Sequence, residues 1–309
     1  METTAAYREW KSRGGMADLS DRLMLQLTGA DRVRYLNGQV TSNVTRLSAG
    51  QTQPACVTTA KGRLCAEIVI TAGTEALFVD ADPALRETLP ARLERYIIAD
   101  DVTLTECPPE TRLLHFLGGD NFPAEVPAEA TLHAADRFGA PGFDWWTDAP
   151  TLAAVWPKLI ANRVVLDEPL RELLRIEAGI PGWGSELGED TLPPEAGLDR
   201  THIDYHKGCY VGQEVISRLK SVGHVNRQLT GFVSESGAPL APGASLFLPG
   251  DDTRAVGQLT SAAYSFTLEK PIALGYLKRG SPTRDLIARP ADSNSAEVIV
   301  TACALPFSP

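Results

Sequence analysis

The sequence has no hydrophobic run long enough to cross a membrane. Spanning a bilayer takes about 18 or more consecutive apolar residues, and the longest candidates, such as Val298 to Phe307, are the length of a strand. The stretch from Met1 to Arg13 mixes acidic and basic residues and lacks an apolar segment, so no secretory signal is expected. These absences predict a cytoplasmic protein with no membrane partner.

Cysteine and positive charge are also scarce. The five cysteines are odd in number, widely spaced and without a CxxC pair, which argues against a disulfide framework and against a four-cysteine zinc site. The 29 Lys and Arg against 39 Asp and Glu give a net charge of −10, which disfavours direct binding to nucleic acid. A local basic pocket is still compatible with this charge.

The remaining composition is that of an ordinary globular protein. The 309 residues are 43% hydrophobic and 22% charged, and this length suggests about two domains. Strand and helix patterns alternate over most of the chain, whereas beyond Arg227 short β-rich runs are separated by Gly and Pro about every ten residues, the spacing of a small barrel. We therefore predict two domains, at residues 1–227 and 228–309.

One glutamate interrupts an apolar helix face. Asp167 is a typical N-cap, and the apolar stripe of the predicted helix that follows passes through Leu170 and Leu174 to Glu177. A buried carboxylate needs a cation, hydrogen bonds or a pocket. A salt bridge to a neighbouring arginine is one interpretation. The other is a ligand anchor, because two carboxylate oxygens match the 2-amino and N3-H donors of a pterin.

The second informative segment is His206-Lys207-Gly208-Cys209-Tyr210-Val211-Gly212-Gln213-Glu214. The apolar spacing that follows predicts a helix opening near Gly212, with Cys209 just before its N-terminus. The helix dipole and Lys207 would both favour a thiolate at this position. A single cysteine is, however, more often a small buried hydrophobe, so the residue types alone leave the role of Cys209 open.

Two further patterns favour ordinary surface roles. His202, His206 and Cys209 have a spacing that could bind zinc or iron in a helix, but Gly208 and the strand-like run around His202 argue against a helix, so no metal site is expected. Several cations could bind an anionic tail or form a solvated face: Lys61, Arg63, Lys207, Arg218, Lys220 and Arg227.

Taken together, three motifs resemble the YgfZ family of folate-binding proteins. They are Arg175-Ile176-Glu177-Ala178-Gly179-Ile180-Pro181, then Leu192-Pro193-Pro194-Glu195, then Lys207-Gly208-Cys209-Tyr210-Val211-Gly212-Gln213-Glu214 with Arg218, and segments 27–41, 61–63, 257–261 and 272–276 are also similar. The KGCYxGQExxxR signature is specific. That family is related to the T-protein (aminomethyltransferase) of the glycine cleavage system and to a mitochondrial iron–sulfur assembly factor.

The resemblance implies an α+β fold, with a folate-binding, aminomethyltransferase-like body of two interleaved subdomains and a C-terminal β-barrel domain. It implies that the cofactor is tetrahydrofolate or a one-carbon derivative, with Glu177 at the pterin edge and Arg218 and Tyr210 in the same site. It makes Cys209 a functional thiol, with Lys207 beside it. The expected partners are iron–sulfur client enzymes or assembly proteins, including radical enzymes that modify tRNA.

One departure separates this sequence from the T-proteins. They carry an Asn-Ala-x-Asn run and a downstream catalytic aspartate, where this chain has Asp80-Ala81-Asp82-Pro83-Ala84. None of Asp80, Asp82, Asp100 and Asp101 can be aligned with the catalytic acid. The leading hypothesis is therefore a folate-binding assembly factor without an enzymatic reaction of its own. The alternative is an aminomethyltransferase that passes a one-carbon unit from a lipoyl-bound aminomethyl group to tetrahydrofolate, and a weaker third is a metal enzyme.

Overall fold

The computed structural model describes residues 3–118, 123–251, 253–292 and 296–308. Its α-helices are α1 (Thr3–Arg13), α2 (Arg32–Gln39), α3 (Thr88–Glu94), α4 (Ala149–Asn162), α5 (Glu168–Glu177) and α6 (Gln213–Ser221). Its strands are β1 (Gly15–Asp18), β2 (Leu23–Thr28), β3 (Thr52–Thr58), β4 (Leu64–Ala72), β5 (Leu77–Ala81), β6 (Thr103–Glu106), β7 (Thr111–Leu117), β8 (Leu132–Asp136), β9 (Pro141–Asp148), β10 (Val164–Val165), β11 (Arg227–Ser234), β12 (Ser245–Phe247), β13 (Gly257–Ser265), β14 (Lys270–Lys278), β15 (Leu286–Arg289) and β16 (Val298–Cys303).

Two five-stranded sheets form the body. The first sheet has the order β3-β4-β5-β2-β6 and the second β10-β1-β7-β9-β8, so the chain starts in the second sheet, builds the first and then returns. This return makes the two subdomains interleaved, as predicted. Among the described residues no helix is both long and apolar enough to cross a membrane.

The two faces of the first sheet differ in chemistry. Side chains alternate along a strand, and on β4 Ala66, Ile68 and Ile70 join a core that also contains residues of α2 and α3. Glu67 therefore points to the opposite face, which is turned toward the second sheet. The two sheets meet there through the rings of Phe78 and Trp146, whose centroids are 5.3 Å apart.

The C-terminal segment forms a closed barrel with the strand order β11-β14-β13-β12-β15-β16. Phe232, Leu246 and Leu259 are among the fully buried residues of its core. This confirms the fold class predicted from the sequence, an α+β body followed by a β-barrel.

Helix α5 lies between the body and the barrel. The Asp167 side chain caps it by accepting a hydrogen bond from the Leu170 main-chain N–H at 3.1 Å. Its inner residues Leu170 and Leu174 pack in the body, whereas Ile176 packs against barrel residues such as Ile272. The helix ends at Glu177, which places that carboxylate at the junction of the two domains.

Candidate functional site

The segment from Lys207 to Gly212 forms an irregular loop that leads into α6. Gly212 has a φ of +90°, and a Cβ there would lie 2.5 Å from the Thr59 carbonyl oxygen, so only glycine fits this approach. The Val211 carbonyl accepts a 2.5 Å hydrogen bond from the Thr58 hydroxyl. The prediction of a helix that opens near Gly212 is confirmed, because α6 begins at Gln213.

Lys207 anchors this loop to the body. Its buried ammonium donates hydrogen bonds to the carbonyl oxygens of Asn37 at 2.6 Å, Val40 at 2.6 Å and Ser42 at 2.7 Å. Burial lowers the pKa of Lys207 to about 8. Since an ammonium has three donors, each is engaged by the main chain. The geometry thus gives Lys207 a positioning role, and a direct part in chemistry at Cys209 stays a prediction.

Tyr210 packs beneath the same ammonium. Its ring centroid lies 5.1 Å from Lys207 Nζ, and its hydroxyl is buried with no hydrogen-bond partner among the described residues. Burial, and then the neighbouring Tyr205 and Cys56, raise the pKa of Tyr210. A buried hydroxyl without a partner is uncommon and calls for an explanation such as a bound ligand. The predicted folate contact of Tyr210 is compatible with this.

Cys209 differs from the other cysteines in its exposure. All five cysteines lie in the described part of the chain; Cys209 is exposed, Cys56 and Cys107 are buried, and Cys65 and Cys303 are half-buried. Burial raises the pKa of each of the other four thiols. Gly208, the neighbour of Cys209, has no atom within 4 Å of where a Cβ would stand. The Cys209 thiol is therefore presented to solvent on an anchored loop.

The predicted cations lie mostly on one exposed surface. Gly62 contacts α6, since a Cβ at Gly62 would lie 3.1 Å from the Val215 side chain. The turn that carries Lys61 and Arg63 therefore lies beside the helix that carries Arg218, and all three side chains are exposed. Arg218 follows the Cys209 loop in the chain but does not reach the body interior.

Glu177 is held by the protein itself. Its Oε2 accepts a hydrogen bond from the Tyr7 hydroxyl at 2.9 Å, and its Oε1 accepts one from the Ser265 hydroxyl at 2.5 Å and a longer one from the Thr267 N–H at 3.4 Å. This carboxylate joins α1 to the barrel and shares no contact with Lys207, Cys209 or Tyr210. Its predicted place at a pterin edge stays a prediction.

A polar cluster that sequence analysis missed lies between the two body sheets. It comprises Arg22, Glu67, Asp80, His115, Arg137, Asp144 and His202, and is called the interior polar cluster below. Arg137 donates to both Asp80 oxygens at 2.8 Å and to Asp144, so it bridges the two sheets. The sequence signal that could have revealed this cluster is the presence of charged residues inside β-rich runs. An ionised side chain rarely enters a core without a partner, so such residues indicate a buried polar cluster.

Glu67 is a partly exposed member of this cluster, as are Arg22 and His202. Its Oε1 lies 3.2 Å from His202 Nε2, and its side chain is 25% exposed. Burial opposes ionisation, but the hydrogen bond and charge of His202, with the charges of Arg22 and Arg137, outweigh it and hold the pKa of Glu67 below its usual value. Glu67 is thus an ionised carboxylate, and its cross-strand partner is Cys56, the thiol next to Tyr210.

The predicted metal-ligand spacing does not form a cluster. His202 bonds Glu67, whereas the His206 main-chain N–H donates to Asp204 at 2.8 Å and Cys209 faces solvent. Across the described residues, no group of three or more His, Cys, Asp or Glu side chains has the arrangement of a metal site.

This chain is similar to proteins that carry three different names. The "tRNA-modifying protein YgfZ" of Sodalis glossinidius is 29% identical over 266 residues, covering 80% of each chain. An aminomethyltransferase of Picosynechococcus sp. is 28% identical over 85% of this chain and 78% of that protein. The "Iron-sulfur cluster assembly factor IBA57 homolog, mitochondrial" of Neurospora crassa is 26% identical over 74% of this chain and 56% of that protein.

The fold and the barrel agree with these relatives. The crystal structure of the glycine cleavage system aminomethyltransferase T from Bartonella henselae superposes with a TM-score of 0.85 over 99% of this chain and 89% of that chain, at 18% identity. Residues 227–307 match the family model of the glycine cleavage T-protein C-terminal barrel domain. The chain is therefore a homologue of the YgfZ and IBA57 proteins with the aminomethyltransferase fold, and its barrel is similar to the C-terminal barrel domain of the glycine cleavage T-protein.

Proposed function

We propose that this protein binds tetrahydrofolate or a one-carbon derivative and assists the assembly or repair of iron–sulfur clusters in client enzymes, including tRNA-modifying ones. The observation that carries the proposal is the exposed Cys209 thiol on a loop that Lys207 anchors. A solvent-presented thiol can contact a cluster, a sulfur donor or a partner thiol, whereas buried thiols cannot. The names of the YgfZ and IBA57 relatives support this role.

The aminomethyltransferase activity is the alternative, supported by the relatives that carry that name. Four aspartates near the end of β5 and before β6 were the candidates for its catalytic acid, and each has another role. Asp80 is buried between Arg22 and Arg137, and Asp82 caps a short helical turn. Asp100 pairs with Arg34, and Asp101 accepts from the Ala30 N–H. These bonds favour the assembly role over the transferase.

The folate part of the proposal fits the side chains of the body interior. A pterin presents adjacent N–H donors, and an ionised carboxylate that solvent reaches is the matching group. Glu67 has that character, and Tyr210 adds a buried hydroxyl without a partner among the described residues. Glu177, which the sequence predicts at the pterin edge, already accepts three hydrogen bonds from the protein. The anionic tail would meet the exposed cations beside α6, Arg218 among them.

Complementation of a deletion strain tests the assembly role. Cys209→Ser should bind tetrahydrofolate within about twofold of the wild type and yet fail to restore iron–sulfur enzyme activities. Cys303→Ser, at a half-buried thiol of the barrel, is the matched control and should complement. Full complementation by Cys209→Ser would contradict the proposal.

Two assays test the remaining parts. In a reconstituted glycine cleavage system the wild-type protein should show no activity, and clear turnover would establish the transferase alternative. Mass spectrometry of small molecules released from the purified protein should detect a reduced folate, and its one-carbon state can be read from the mass. A protein that neither carries nor binds folate in titration would remove the folate part of the proposal.

A further inference from the structure

A cleft, called the barrel cleft below, lies between the outer face of the barrel and the body segment of residues 185–191. Its volume is about 400 Å³, and its lining includes Ser185, Thr191, Arg227, Gln258, Tyr276 and Lys278. Leu277 packs in the barrel core, so its neighbours Tyr276 and Lys278 face outward. The Tyr276 hydroxyl donates a 2.9 Å hydrogen bond to the Glu186 carbonyl, which holds the body segment on the barrel. A cleft of this volume is large enough for a small molecule, and it shares no lining residue with the interior polar cluster or the Cys209 loop.

Two cations lie side by side on the barrel wall of this cleft. Strands β11 and β14 are antiparallel neighbours in which Arg227 is directly opposite Lys278, so both side chains project from the same face. Like charges in this position repel each other. Glu195 offsets one of them, since its Oε2 lies 3.0 Å from Arg227 Nε, whereas Lys278 has no carboxylate partner among the described residues. An anion bound in the cleft would relieve the remaining repulsion.

Arg227 is oriented by the protein while its outer edge stays free. Its guanidinium carbon lies 4.3 Å from the Tyr276 ring centroid, and its Nε donates to Glu195. Nη1 and Nη2 have no hydrogen-bond partner in the described part of the chain, and the side chain is 41% exposed. Arg137 differs, because both of its terminal nitrogens bind carboxylates. A guanidinium that is oriented and has a free edge can bind two oxygens of one anion.

Lys278 offers a second point of contact. Its Nζ donates to the Ala255 carbonyl at 2.7 Å, and because an ammonium has three donors, two N–H groups are left. The two oxygens of a carboxylate would both be engaged by Arg227. A phosphate monoester has three terminal oxygens, so two can bind Arg227 and the third Lys278. The donors of the cleft therefore match a phosphate monoester more closely than a carboxylate.

We propose that the barrel cleft binds the phosphoryl group of a small phosphate monoester, with Arg227 and Lys278 as its cationic contacts. Glu195 is the positioning residue that orients Arg227. Nucleic acid is a poorer source of this group, because its backbone phosphates are diesters with two free oxygens and the net charge of −10 opposes binding of a polyanion. The site goes beyond the proposed folate and thiol functions and does not depend on either.

Calorimetric titration of the wild-type protein with methyl phosphate tests the site. Dimethyl phosphate and acetate are the comparison ligands, and added chloride keeps the ionic strength constant. Methyl phosphate should bind at one equivalent per chain and at least about 10-fold more tightly than either comparison ligand, because both lack the third oxygen. Equal affinity for all three, or no saturable binding of methyl phosphate, would overturn the proposal. This comparison needs no substitution.

Substitutions on β14 separate a specific contact from a general effect of charge. Lys278→Gln should weaken methyl phosphate binding about 10-fold and reduce the preference over dimethyl phosphate. Lys270→Gln removes the same charge from an exposed position at the other end of the strand and should bind as the wild type does. Arg227→Lys keeps the charge without the fork and should also weaken binding by at least about 10-fold. Equal losses in Lys278→Gln and Lys270→Gln would show that only net charge matters and would overturn the assignment.

Discussion

Lys207 Nζ lies 2.6 Å from the carbonyl oxygen of Val40, a residue 167 positions earlier in the chain. Val40 is the C-cap of α2, and the two other carbonyls that bind the same ammonium lie within three residues of it. The contact fastens the Cys209 loop to the end of a body helix. The loop that carries the exposed thiol is therefore held to the body by three hydrogen bonds from Lys207.

Lys207→Met should destabilise the protein. The substitution retains most of the buried stem but leaves three main-chain carbonyls without their charged donor, and losing a hydrogen bond to a charged group costs about 1.5 to 3 kcal/mol. We expect the free energy of unfolding to fall by about 2 to 4 kcal/mol in denaturant titrations. Cys209→Ser, in the same loop but exposed, should leave it unchanged. Equal stability of the two variants would contradict the anchoring role.

The cysteines should react in the order of their exposure. In a short pulse of iodoacetamide at neutral pH, Cys209 should be alkylated first, because its thiol is open to solvent. Cys56 and Cys107, which are buried, should be modified only after unfolding. Peptide mapping by mass spectrometry measures each site. Early modification of either buried thiol in the folded protein would show that the body opens more readily than its packing indicates.

Glu177→Gln tests two roles of one side chain. Since the carboxylate accepts from Tyr7 and Ser265, the variant should lower the free energy of unfolding by about 1 to 3 kcal/mol. Its affinity for tetrahydrofolate should stay within about twofold of the wild type, because the protein itself already occupies both carboxylate oxygens. Thermal unfolding and calorimetry on the same preparation separate the effects. Lost affinity with unchanged stability would restore Glu177 to the pterin edge that the sequence predicts for it.

Acid should weaken the contact between the body sheets. Burial opposes ionisation of Asp144, but Arg137 and His115 outweigh it and lower its pKa to about 2. A carboxylate with a depressed folded-state pKa stabilises the protein fully above its unfolded-state value of about 3.9, and this contribution is lost as pH falls through about 2. The shift corresponds to about 2 to 3 kcal/mol.

The matched variant for this pH effect is Asp144→Asn, which should be less stable than the wild type at pH 7 and should show a flatter dependence of stability on pH between about 4 and 2. Urea unfolding at a series of pH values measures it. A wild-type curve that is flat over that interval would show that the Arg137 pair does not stabilise the folded state.

Several parts of the structure follow from local sequence signals. Asp167 caps α5 as its position before an apolar stripe predicts, and α6 begins one residue after Gly212. The short β-rich runs separated by Gly and Pro after Arg227 correspond to the closed barrel. A helix cap, a glycine with positive φ and an apolar repeat each depend on residues only a few positions apart. They can therefore be recognised in the sequence alone.

Other features were decided by contacts across the chain. Glu67 meets His202 over 135 positions, and Glu177 meets Ser265 over 88. In the sequence, Glu67 and Glu177 have similar surroundings, because each lies among apolar residues. Only the tertiary neighbours show that both Glu177 oxygens accept hydrogen bonds from α1 and the barrel, whereas Glu67 Oε2 has no partner in the part of the chain that the structure describes.

Local signals in the sequence therefore predict helices α5 and α6, the β-rich C-terminal segment and the cysteine loop, because propensity, capping and periodicity act over a few residues. Tertiary structure alone decided which charges face each other between the sheets and what holds Lys207. The physical reason is that burying an ion is favourable only where partners of opposite charge or matching hydrogen-bonding groups converge on it, and those partners come from distant positions that no local pattern specifies.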